Sequence, residues 1–188
     1  MNIIEIFTKS IFLIISFDSD LWEIIILSLY VSISALIIAS ILGLLIGYYI
    51  ALKKFLFKSF ILVVLNSLMG IPPVVVGLIV YFMFASGGPF GVLQLLYTPT
   101  AMIIAQVIII FPIVTSISHE IFDQNWREYK DQLRSINMPF FGVAFIITKH
   151  SYFLVITALL SAFGRAISEV GAVMIAVSYT HLRAHETV

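Results

Sequence analysis

Four long apolar runs, separated by short stretches rich in charge, proline or glycine, decide what this chain can become. They cover about 23–52, 60–85, 100–118 and 152–177. Each is near or above the roughly 20 residues that a helix needs to cross a bilayer. Of 188 residues, 61% are hydrophobic and 11% charged, with a mean hydropathy of +1.13. That is more apolar side chain than one water-soluble core buries, so lipid must be the solvent for much of it. The expected fold class is an all-α membrane protein, a polytopic bundle of transmembrane helices.

Charge sets the expected topology. Lys53, Lys54 and Lys58 crowd the first connection, while the second, 86–99, carries no charge at all. The excess of Lys and Arg marks the cytoplasmic side, so the first connection is expected inside and the second outside. The third connection, 119–151, returns Arg127, Lys130, Arg134 and Lys149 to the cytoplasm, and Asp18, Asp20 and Glu23 leave the N-terminus outside. Residues 1–20 show no basic n-region or small-residue cleavage site, so they read as an extracytoplasmic segment leading into the first span, not a cleaved signal. Net charge is zero and the ten Lys and Arg form no single basic face, which argues against a nucleic-acid partner. With no cysteine, disulfides and thiolate chemistry are excluded. The four histidines are scattered, so no metal site, cofactor site or catalytic constellation is expected.

Within 119–151, Phe122, Trp126, Tyr129, Leu133 and Ile136 recur at spacings of four and three, one stripe of an amphipathic helix. Asp123, Arg127 and Asp131 follow one another at i, i+4 on the other face. Such a helix either lies on the headgroups or docks a cytoplasmic partner. Two further features sit inside the apolar runs. Pro72 and Pro73 lack backbone N–H groups and free carbonyls of the preceding turn, which is tolerated in lipid only against other helices or a watery cavity. Either the break only shapes packing, or Asn66, Ser67 and Gly70 lie with Pro72 and Pro73 beside a translocation path; Gln106, in the third apolar run, is a further path candidate. Arg165 and Glu169, four residues apart, read as one buried unit, either a structural ion pair or a positive guide for an anion. A secondary transporter or channel subunit would need its own coupling-ion acid, and only Glu169 qualifies, with Arg165 placed to neutralise it.

Gly70-Ile71-Pro72-Pro73 within 65–78, Thr98-Pro99-Thr100 within 98–106, and Gly164-Arg165-Ala166-Ile167-Ser168-Glu169-Val170-Gly171 within 163–174 resemble, in order, the permease subunits of tungstate ABC importers. The related molybdate permeases resemble the last segment less closely. The resemblance implies the helical bundle of a type I ABC importer permease, with four spans present over 21–177 and one missing. It also implies an oxyanion cargo, favouring tungstate over molybdate or another oxyanion, and a multi-pass place in a bacterial or archaeal plasma membrane. Implied partners are a cytoplasmic ATP-binding subunit, an extracytoplasmic binding protein, a second copy of the permease and membrane lipid. The chain itself has no nucleotide-binding loop and is not expected to be an enzyme. By the same resemblance 119–151 becomes the coupling loop, with Trp126, Tyr129, Leu133, Ser135, Ile136 and Asn137 as the docking residues. The family places a glycine here, and 129–137 contains none. Residues 178–188 depart from the family and read as a foreign tail, so the chain is expected to be truncated.

Overall fold

The computed structural model describes residues 19–185, with side chains at Ser19 and over 22–169. Most of the segment 1–20 and the side chains of 178–188 therefore lie outside the described residues. Six α-helices follow in order: α1 (Ser19–Leu52), α2 (Lys58–Leu68), α3 (Pro73–Phe84), α4 (Pro99–Ser135), α5 (Phe140–His150) and α6 (Tyr152–His185). A short 3-10 turn, Gly91–Leu93, lies in the connection before α4. Trp22–Leu52, Pro99–Ser135 and Tyr152–Glu169 are each long and apolar enough to cross a membrane, and among the described residues the number is three, or four where the bent pair of α2 and α3 is counted as one span.

Small residues spaced by four build the core. Ala35, Ala39, Gly43, Gly47 and Ala51 line one face of α1, and all are buried. This face lets α4 approach closely, as small-residue faces do in membranes. A Cβ at Gly43 would come within 2.8 Å of Val114, and one at Gly47 within 2.8 Å of the Thr115 carbonyl oxygen and 3.0 Å of the His119 nitrogen. The partners advance in the same direction, so α1 and α4 run parallel. Ala158, Ala162 and Ala166 give α6 a similar face; the last two join Ala35, Ala39, Ile110 and Val114 in one buried cluster.

The single span expected over 60–85 is two helices bent by 99°. Pro72 and Pro73 explain the break. Neither can donate the N–H that would continue α2, and Pro73 instead opens α3 at a first-turn position where no donor is needed. Between them the chain turns tightly, with the Gly70 and Ile71 N–H groups donating to the Ser67 and Leu68 carbonyls.

The amphipathic helix expected after residue 118 is not a separate helix. It is the lower part of α4, whose 37 residues extend roughly 55 Å at 1.5 Å per residue, well beyond a hydrocarbon core of about 30 Å. Phe122 and Leu133 from its apolar stripe are buried with Tyr48 and Ala51 of α1, Val143 and Ile147 of α5, and Val155 of α6. That stripe is therefore largely covered by its own chain. The helical backbone of α6 also runs through 178–185, beyond the expected end of the apolar run.

Candidate functional site

The path candidates fall into three places. Asn66 and Ser67 are exposed on α2, one turn before the break. The Ser116 hydroxyl of α4 donates to the Asn66 amide oxygen, and the Ser67 hydroxyl donates to its own helix at Val63. Lower on the same seam, Lys58 lies 3.2 Å from Asp123, which also holds Arg127 at 2.8 Å. Because Lys58 pairs with Asp123 and Asn66 with Ser116, α2 and α4 run antiparallel. Gly70, Pro72 and Pro73 form the elbow above this seam. There a cavity of about 180 Å³ is lined by Leu68, Met69, Ile71, Val76, Ile109 and Pro112, the proline inside α4.

Gln106 occupies a second place. It is 1% exposed in α4, and neither atom of its amide has a hydrogen-bond partner. It is not brought to the elbow cavity. Arg165 and Glu169 occupy the third, on α6, where they form an ion pair through Nε of Arg165. Glu169 is 12% exposed and Arg165 38%, so the acid is the sheltered partner. Starting from Tyr152 the pair stands roughly 20 to 25 Å along α6.

The docking candidates lie at the far end of α4. Trp126 is half-buried under the Arg134 guanidinium, 5.6 Å from the ring. The Tyr129 hydroxyl is 3.1 Å from Nε2 of His150. Leu133 is buried in the intramolecular core, which removes it from any open docking face. Ser135, Ile136 and Asn137 are exposed where the chain turns towards α5, and Phe141 beyond them is 82% exposed. The turn accounts for the absent glycine. Asn137 has φ 48°, its N–H donates to the Arg134 carbonyl, and the Met138 N–H donates to the Leu133 carbonyl. This is the helix-ending pattern that takes a left-handed residue just past the cap, where asparagine serves after glycine.

Sequence reasoning missed the Asn66–Ser116 and Lys58–Asp123 pairs. Lys58 was legible only as a topology charge, because its partner is 65 residues away. The four-residue spacing of Ala35, Ala39, Gly43 and Gly47 was a signal that could have placed α1 against α4.

Residues 39–183 match the family described as binding-protein-dependent transport system inner membrane component. A tungstate uptake system permease protein, TupB, from Peptoclostridium acidaminophilum is 36% identical over 173 residues, covering 92% of this chain and 76% of that protein. A probable anion ABC transporter permease protein from Haloferax volcanii is 37% identical over 148 residues, covering 79% of this chain and 64% of its own. The TupB of Campylobacter jejuni is 30% identical over 122 residues, 65% of this chain and 51% of that one. The chain thus spans about half to three quarters of the length of these relatives. By family match, helical architecture and span count together, this chain belongs to the inner-membrane components of binding-protein-dependent transport systems.

Proposed function

We propose that the chain is the permease subunit of an ATP-driven importer of a tetrahedral oxyanion, with tungstate the favoured cargo. The observation that carries this reading is the likeness to a tungstate uptake permease along 92% of the chain, through the segment that holds Arg165 and Glu169. In this reading a cytoplasmic ATP-binding subunit docks at the turn formed by Ser135, Ile136 and Asn137 and flanked by Phe141. An extracytoplasmic binding protein delivers the anion near the 86–99 connection, and two permease copies enclose the path within the bilayer. The N-terminus lies outside and the Lys53–Lys58 connection inside, in keeping with parallel α1 and α4 and an antiparallel α2. Residues 21–177 act as the permease domain, with 119–151 as its coupling region.

Docking shifts towards the exposed turn because Leu133 is committed to the protein's own core. Replacing Ile136 and Phe141 together with Asp is expected to abolish co-purification with the ATPase while leaving the permease folded. The decisive experiment is reconstitution of the chain with its ATPase and binding protein in vesicles. Tungstate is expected to stimulate ATP hydrolysis and accumulate inside, with molybdate competing less well. Equal competition by molybdate would widen the cargo, and absence of uptake for every oxyanion would overturn the assignment.

A further inference from the structure

The connection between α1 and α2 is only five residues, Lys53-Lys54-Phe55-Leu56-Phe57, and it joins two kinds of side chain that ask for different surroundings. Leu56 is 92% exposed and Phe57 64%, so neither finds within the chain the apolar cover that stabilises such side chains most. Lys53 and Lys54 are exposed as well, and neither stands in an ion pair with any described residue. Asp123, the acid at this end of α4, is already held by Lys58 and Arg127. Lys53 sits instead 5.9 Å over the ring of Phe140, which Tyr48 fixes by donating its hydroxyl to the Phe140 carbonyl at 2.7 Å. The ammonium is thus positioned without being neutralised. Both flanks set the depth. One turn earlier, the half-exposed Tyr49 leans on Phe55, the kind of aromatic side chain that settles at the headgroup level. On the other side Phe57, Phe60 and Val64 recur at spacings of three and four, all exposed, and begin the apolar flank by which α2 turns back into the bilayer. A chain that leaves and re-enters lipid within five residues keeps its lysines among the phosphates and its Leu56 and Phe57 at the first methylenes below them.

We propose that this connection is a docking site for an anionic phospholipid: the Lys53 and Lys54 ammonium groups take its phosphate, and Leu56 and Phe57 lie against the upper part of its acyl chains. The inference is independent of the cargo and needs only that α1 cross the membrane. Two unneutralised positive charges ask for an anion. The two exposed apolar side chains decide which one. A dissolved phosphate would satisfy the lysines and leave Leu56 and Phe57 in water. A zwitterionic lipid would cover Leu56 and Phe57 and bring a cation of its own to the lysines. A lipid with a net negative headgroup completes both halves at once. Lys58 follows immediately and ties the same segment to Asp123, so a lipid held here anchors the foot of α2 from the membrane side.

The test uses the full chain in vesicles, alone and with its ATPase bound, and exploits the absence of native cysteine. Ser59→Cys, at an exposed position just past Lys58, carries a fluorophore, and lipids with brominated acyl chains quench it on contact. Brominated phosphatidylglycerol is expected to quench several-fold more effectively than brominated phosphatidylcholine. The preference should shrink in about 1 M salt, which screens charges beyond a few ångströms. Lys53→Gln with Lys54→Gln should abolish the preference while both lipids still quench; Lys54→Gln alone should reduce it, and serves if the double variant assembles poorly. Equal quenching of the unsubstituted connection by the two lipids, or a preference that survives the double change, would overturn the proposal. Loss of the preference on adding inorganic phosphate at matched ionic strength would give the lysines to a dissolved anion. Absence of quenching by either lipid, in the chain alone or once the ATPase is bound, would take the connection off the membrane surface, and each of these results also overturns lipid docking.

Discussion

Two seams meet on α4, and they are built in opposite ways. Against α1, α4 is held by close approach of backbones: Gly43 and Gly47 leave no room for even one methyl group. Against α2, it is held by two polar pairs, Lys58 with Asp123 and Asn66 with Ser116, and above them by a partly empty elbow. A close-packed seam resists any sliding, since every small displacement costs many contacts at once. A seam of separate polar pairs beside a void can open by breaking a few bonds and remake them in another register. The contrast sets the close-packed α1 seam apart from the α2 seam, the one whose opening breaks only a few bonds; α3 is itself packed on α4 through Val76, Val80, Phe84, Ala105 and Ile109.

The most severe way to break this comparison is Gly47→Leu. The new side chain meets the backbone at Thr115 and His119, which cannot step aside, so the folded permease is expected to be lost on size-exclusion chromatography in detergent. Gly43→Ala should cost less, about 1–3 kcal/mol by thermal shift, because it presses one methyl group, not four carbons, against Val114 and the Thr115 backbone. Next in size is a lock on the polar seam. Asn66→Cys with Ser116→Cys, oxidised to a disulfide, should reduce uptake more than tenfold and regain it on addition of reductant. Undiminished uptake in the locked protein would show that this seam does not open.

Asp123→Ala removes the partner of both Lys58 and Arg127 and should destabilise the protein by about 1–3 kcal/mol. Lys58→Met leaves Asp123 paired to Arg127 and should cost less than Asp123→Ala; the reverse order in thermal denaturation would contradict the arrangement. The smallest effect is expected from Val76→Ile, which adds one methylene beside the elbow cavity. A gain of up to roughly 0.8 kcal/mol with slower uptake would tie the void to motion.

The helical, membrane-length character of the apolar runs was readable from residue spacing, since hydropathy acts locally. Arg165 and Glu169 were readable for the same reason: an i, i+4 pair needs no knowledge of the fold. What failed to show was which surface each pattern meets. The stripe through Phe122 and Leu133 has the same periodicity whether it faces a partner or its own α1, and only the tertiary arrangement shows it turned inward. Pro72 and Pro73 announced a break but not its 99° angle, which depends on what the two halves find to lean on. The missing glycine at the docking turn was readable as a departure, yet its remedy, the left-handed Asn137, required the backbone.

The bent pair has a consequence for how the protein is made. With 11 and 12 residues, α2 and α3 each reach only roughly 16 to 18 Å, too short for either to cross alone. An insertion machinery reading apolar length would accept them as one straight segment. Ser116, the polar partner of Asn66 one turn before the elbow, is synthesised only afterwards, as α4 follows from the ribosome. The break itself is local, set by Pro72 and Pro73, whereas the contacts that hold the bent pair against α4 can form only once α4 has followed it out.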